Sequence, residues 1–138
     1  MNLDRVLADL LGLRKNLDAI LLEPFRAPRR IERLVKSSYR NIVTKFDKNA
    51  EKKIVETLSR RYPEVGIVAE ESRPGGSLES DSWTWCIDPL DGTVNYSYGH
   101  PFFAVSIALL RGRTPKVGMV HLPVQRETFW AVAGGGAR

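Results

Sequence analysis

Apolar residues recur at a helical interval from the start of the chain. Leu3, Val6, Leu7, Leu10, Leu17, Ile20 and Leu21 fall on one face, and Asn2 stands where an N-cap belongs. Pro24 and Pro28 end or kink this helix, and residues 31–39 are expected to resume it. A second helix is expected to start at Asp47, a good N-cap, with Ala50, Ile54, Val55 and Leu58 on one face before Pro63. Beyond Pro63 the pattern changes to short apolar runs. VGIVAEE (65–71) is one, ending in two acids, and the polar RPGGSLESDS (73–82) reads as a loop. WTWCID (83–88), FFAVSIALL (102–110), PKVGMVHL (115–122) and ETFWAVA (127–133) read as strands, the last three joined by RGRT and PVQR. FFAVSIALL also fits a helix by period. Its Val, Ile and Phe content and the Arg111-Gly112 turn favour a strand. Two helices followed by strands make an α+β pattern: one domain over residues 1–138, with two helices on an antiparallel sheet.

Composition sharpens this picture in two ways. With 43% hydrophobic residues in 138, the chain can build a sizeable core. Cys86 is the only cysteine, so no intrachain disulfide forms, and a reducing compartment is expected. Lying inside an apolar strand, it is expected to be an inert buried thiol. Trp83, Trp85 and Trp130 are expected to fill the core, and His100 and His121 lack ligand spacing. The leucines of the N-terminal segment are interrupted by charges, unlike a signal peptide or a membrane span, so the expected location is the cytoplasm, with no membrane partner.

The net charge of +5 is unevenly placed. Between residues 26 and 61 stand twelve Lys or Arg and four acids, whereas between 62 and 91 stand seven acids and Arg73 alone. The basic part suits an anionic partner, or is simply a solvated set of helix faces. It lacks the interleaved aromatics of single-strand binders, so nucleic acid is not the expected partner.

The acidic part contains WCIDPLDGTVNY (85–96), in which Asp88 and Asp91 flank Pro89 and Leu90. An ordinary tight turn accounts for Asp-Pro or Asp-Gly singly. Carboxylates gathered at a strand end also suit Mg²⁺, a hard cation that takes oxygen ligands and leaves positions to water and phosphate. Asp88 and Asp91 each serve a different metal or share one, with the Leu90 carbonyl between them. Glu70 and Glu71, ending another strand, complete the shell. The N–H groups of Gly92 and Thr93 are placed to face a phosphate, above all if a helix starts there. Two metals about 4 Å apart would activate a water and stabilise both oxygens of an in-line phosphoryl displacement.

Four blocks stand in order along the chain: V-T-x-x-D at 43–47, A-E-E-S at 69–72, D-P-x-D-G-T-x-N plus an aromatic at 88–96 and P-F-x-A-V-S-I at 101–107. On these blocks the chain resembles the inositol monophosphatase family of Mg²⁺-dependent, lithium-sensitive sugar phosphatases. Asn41 and Tyr96 depart from the family's commoner Asp and Phe. The resemblance implies that Glu70, Asp88 and the Leu90 carbonyl hold a first metal, and that Asp88 and Asp91 reach a second. Glu70 also orients the attacking water. Thr93, polarised by Asp47, activates it. Gly92 and Thr93 amides, with Asp91 at the same site, meet the phosphate, and Lys36 contacts it.

The implied fold is the N-terminal half of a layered αβαβα phosphatase. The implied reaction is hydrolysis of inositol monophosphate or a related ester, and the full-length form is expected to be a homodimer. Fructose bisphosphate, histidinol phosphate and 3′-phosphoadenosine phosphates are alternative substrates. The family's W-D-x-A motif has no counterpart, since no Trp-Asp pair occurs. The chain is therefore expected to be a fragment, a truncated product or one completed by a partner. The competing class is a non-catalytic binding module on the phosphatase fold.

Overall fold

The computed structural model describes residues 1–26, 33–35, 42–70 and 81–138. Helix α1 runs over Leu3–Arg26. Asn2 caps it as expected: its Oδ1 accepts the Arg5 N–H at 3.0 Å, and its carbonyl accepts that of Val6 at 3.1 Å. Pro24 lies inside the last turn and does not end the helix. Val6, Leu10, Leu13, Leu17 and Leu21 form the buried stripe.

The expected helix at 31–39 is not what the described residues show. Arg33–Val35 is strand β1, paired antiparallel with β2 (Ile42–Thr44) in the register Arg33↔Thr44 and Val35↔Ile42. Consecutive Ile42, Val43 and Thr44 are β-branched, and a strand partner this close in sequence overrides a weak helical period. The rest of 31–39 lies outside the described residues.

Helix α2 spans Lys45–Arg61. It starts two residues before Asp47, which therefore sits inside the first turn and not at the cap. A carboxylate there still suits the positive end of the helix. Ala50, Ile54 and Leu58 face the core as read from the sequence.

Six strands follow in sequential order: β3 (Gly66–Ala69), β4 (Trp83–Asp91), β5 (Ala104–Arg111), β6 (Thr114–Leu122), β7 (Glu127–Val132) and β8 (Gly136–Ala137). The sheet is antiparallel from β4 to β8, but β3 pairs parallel to β4. Residues 70–82 lie between them, enough chain for the crossover that a parallel pair needs.

The register Ile87↔Ile107↔Met119 and Trp85↔Leu109↔Val117 builds continuous rows on one face. That face is buried against α1 and α2, so two helices on a sheet is the observed α+β architecture. Short helix α3 (Thr93–Ser97) lies between β4 and β5. Its Tyr96 meets Phe25, Phe46 and Phe103 with ring centroids 4.9–5.7 Å apart.

Cys86 points the other way and is exposed, not buried. Trp85 and Ile87 take the inward positions of β4, and strand alternation sends Cys86 outward. Trp85 is fully buried, while Trp83 lies at the core margin beside Arg111 and Trp130 beside Arg138. Of the histidines, His100 is exposed and His121 is buried. No helix among the described residues is long and apolar enough to cross a membrane.

Candidate metal and phosphate site

The strand expected to stop at Asp88 continues to Asp91 through a bulge. Asp88 pairs with Ser106 and Asp91 with Ala104, so β4 spends one more residue than β5 over this stretch. Leu90 is buried and anchors the bulge from below. Asp88 Oδ1 accepts the Leu90 N–H at 3.1 Å, an Asx turn that fixes its carboxylate.

Gly92 follows with φ 86° and caps α3. A Cβ there would lie 2.8 Å from the Phe102 carbonyl oxygen, so both backbone angle and space demand glycine. The same carbonyl accepts the Asn95 Nδ2–H at 2.8 Å, which ties α3 to the start of the next strand. Reading the sequence alone missed that clamp, although Asn95 stands within the motif that signalled it.

Thr93 brings two elements together. Its Oγ1 lies 2.9 Å from Asp47 Oδ1 and 2.9 Å from the Leu90 carbonyl oxygen. One hydroxyl proton serves two acceptors, which leaves the oxygen's lone pairs directed elsewhere. Asp47 arrives from α2 and is only 2% exposed.

Glu70 arrives from β3. Its N–H donates to the Ile87 carbonyl at 3.2 Å, continuing the parallel ladder one step past β3 and setting Glu70 next to Asp88. Burial pushes the Asp88 carboxyl above its ordinary pKa. Hydrogen bonding with Glu70 and with the Leu90 amide opposes that shift, and the charges of Asp91 and Asp47 add to it. Asp91 itself is exposed.

Thus the structure gathers Glu70, Asp88, Leu90, Asp91, Gly92, Thr93 and Asp47 at one end of the sheet. Lys36 and Glu71 lie outside the described residues. Among the described residues, no three carboxylate, imidazole or thiol groups close into a ready ligand cage. The donors are nevertheless all oxygen and crowded with like charge, a combination that fits a hard dication, whose charge would relieve the repulsion.

The model of the inositol monophosphatase family matches residues 2–138. The chain belongs to the inositol monophosphatase family. A Thermotoga maritima relative named fructose-1,6-bisphosphatase/inositol-1-monophosphatase is 38% identical over 102 residues, covering 74% of this chain and 38% of the relative. A Pasteurella multocida relative named Nus factor SuhB is 45% identical over 102 residues, covering 73% and 38%. Among solved structures, the extragenic suppressor protein suhB of Bartonella henselae superposes with a TM-score of 0.86 at 31% identity, covering 97% of this chain and 51% of that one. The chain therefore spans about half, or less, of the length of these family members. The match extends over α1 as well, where the sequence offered no distinctive motif.

Proposed function

We propose that this chain carries the metal-binding and water-activating half of a phosphomonoesterase site that acts on inositol monophosphate or a related small phosphate ester. The reading rests above all on the Thr93 hydroxyl, held 2.9 Å from buried Asp47 at the end of a strand that also carries Asp88 and Asp91. Glu70, Asp88, the Leu90 carbonyl and Asp91 would hold Mg²⁺. A bound dication supplies Lewis-acid stabilisation of phosphate oxygens and a lowered pKa for water.

The remaining roles fall to the chain's own groups. Asp47 accepts the Thr93 proton, so the Thr93 oxygen turns a lone pair outward to take a proton from the attacking water. Glu70 orients that water. The Gly92 and Thr93 amides, and Lys36, bind the phosphate. Gly92 is essential because any side chain would push the turn off the Phe102 carbonyl.

The Thermotoga relative's name pairs a bisphosphate with inositol phosphate, which supports a small polyol phosphate as substrate. In the full family fold we place the protein in the cytoplasm as a homodimer. A second reading, a binding module without turnover, draws support from the name Nus factor on the Pasteurella relative.

A chimera separates the two. Residues 1–138 replace the matching part of the Thermotoga enzyme, and phosphate release from inositol 1-phosphate is followed with and without Mg²⁺. The phosphatase reading expects Mg²⁺-dependent release that Asp88→Asn or Glu70→Gln abolishes. Release that persists in excess chelator, or a folded, Mg²⁺-binding chimera with no turnover, would sink it.

A further inference from the structure

A second cluster of charge lies away from the carboxylates, in a groove of about 850 Å³ between α1 and the β6–β7 turn. Arg14, Lys15 and Arg26 enter it from α1, and Arg126 from the turn. Residues 11, 14, 18, 22 and 26 recur every three or four positions, so one face of α1 forms the wall. From 14 to 26 that wall is about 18 Å long at 1.5 Å per residue.

Among the described residues, none of these four cations is paired with a carboxylate. Elsewhere on the described surface Arg61 pairs with Asp9, Lys52 with Glu56 and Arg111 with Asp81, and at the groove the Arg14 Nε–H donates to the Leu11 carbonyl at 2.8 Å. The acid in the groove, Asp18, is already engaged. Its Oδ1 lies 2.9 Å from His121 Nε2, so that nitrogen carries the proton. His121 is 4% exposed and fixed from behind, with Nδ1 2.9 Å from Thr128 Oγ1 and 3.2 Å from the Glu127 carbonyl. Asp18 is thus held against the floor by a buried imidazole, and the groove keeps an excess of positive charge.

Arg126 adds an independent sign. It is the single non-glycine residue with positive φ, 58°, among the described residues. Glycine or asparagine would serve the turn with less strain, so the turn alone does not call for arginine.

We propose that this groove is an anion site for a small polyphosphate, a ligand of contiguous phosphate groups. Several cations from two walls match a compact multiple charge, and guanidinium groups fit phosphate oxygens in pairs. The rest of the lining includes Leu11, Gly12 and Leu22 and no Phe, Tyr or Trp, and the His121 ring is buried, so no exposed ring there stacks a base. That favours the small ligand over a single-stranded nucleic acid.

Titration calorimetry with sodium tripolyphosphate, in chelator and at low salt, tests this. Without metal, the carboxylate site is anionic and repels the probe. Saturable one-to-one binding is expected, at least tenfold weaker in Arg126→Gly and weaker again with Arg14→Gln added. Arg126→Gly removes the charge while relieving the backbone, so loss of fold cannot account for the weakening, and circular dichroism checks this. Asp18→Asn should bind several-fold tighter, a gain that misfolding does not produce. Absence of saturable binding, equal binding by the arginine variants, or no tightening in Asp18→Asn would overturn the proposal. An oligouridylate of equal charge that binds as tightly, and loses affinity in the same variants, would overturn it in favour of a nucleic-acid groove.

Discussion

The two faces of the six-stranded sheet come from the same strands and have opposite fates. On the inner face Trp85, Ile87, Val105, Ile107, Leu109, Val117 and Met119 are all at most 2% exposed beneath α1 and α2. On the outer face stand Cys86, Ser106, Ala108, Gly118, Val120 and Phe129, with Phe129 53% exposed. The inner rows are large and branched, whereas the outer rows from β4 to β6 are mostly small. Asp88 shares the outward parity of Cys86, while Asp47 and Leu90 belong to the covered side. The candidate site is therefore built across the seam, half anchored in a packed core and half open. That division lets rigid parts aim groups at a place where a ligand can enter.

The seam is where the comparison breaks hardest. In the chimera, Thr93→Ala is expected to lower turnover about 10²–10⁴-fold, as loss of general-base assistance does, with a smaller change in KM. A raised KM at unchanged turnover would move Thr93 out of the chemistry.

Next in size is the contrast between faces. Ile107→Ala should cost about 2–5 kcal/mol, the usual range for emptying a buried aliphatic site. Val120→Thr on the other face should stay within about 0.5 kcal/mol. Urea titrations of both variants measure the gap, and equal losses would mean that the outer face is packed too.

A bound dication should sharpen the seam further. Saturation at a hundred times Kd adds about 2.7 kcal/mol to stability. Asp88 gives this a pH dependence. Its folded pKa is raised, so without metal its stabilising contribution is full below the ordinary carboxylate pKa and is lost as pH rises through the folded value. Metal binding needs the ionised carboxylate and runs the other way. Melting scans across that window should show the Mg²⁺ increment growing with pH, and an increment that shrinks would exclude Asp88 as a ligand.

The mildest test alters almost nothing. Cys86 should react with a thiol reagent in the native protein at close to the rate of a free thiol, leaving the melting temperature unchanged. Protection of this thiol under native conditions would mean that something covers the outer face.

Much of this was legible in the chain because burial leaves a period. Short apolar runs rich in β-branched and aromatic residues, bounded by turn residues, identified β4 to β7, and the 3.6-residue spacing identified α1 and most of α2. The D-P-x-D-G-T block located the site because its residues contact one another across only a few positions. What stayed hidden depends on partners remote in sequence. Cys86 reads as buried because its neighbours are apolar, yet strand parity decides the face, and the uncovered face is not written in the strand. Residues 33–35 became a strand because Ile42–Thr44 were there to pair. The direction of β3 shows only in its parallel pairing with β4. By its local pattern Asp47 reads as a cap; its part beside Thr93 was implied only by the family resemblance, and the packing of α2 against β4 brings the two together. The cationic groove joins residues that are more than a hundred positions apart.

Tyr96 departs from the Phe of the resembling motif, and its added hydroxyl has a definite partner. It donates to the Leu21 carbonyl at 2.8 Å, inside the core and 75 positions away in sequence. Burial, with the Asp47 charge second, raises the phenol's pKa, so it remains a neutral donor. The bond makes α3 a dependant of α1, and the timing of assembly follows. Closing so long a loop is entropically slow, so the turn that presents Gly92 and Thr93 should set only after the first helix has docked. In hydrogen exchange the amides of α3 should open together with those near Leu21, and not with the sheet that adjoins them. Tyr96→Phe, at a cost of about 1 kcal/mol, should uncouple the two.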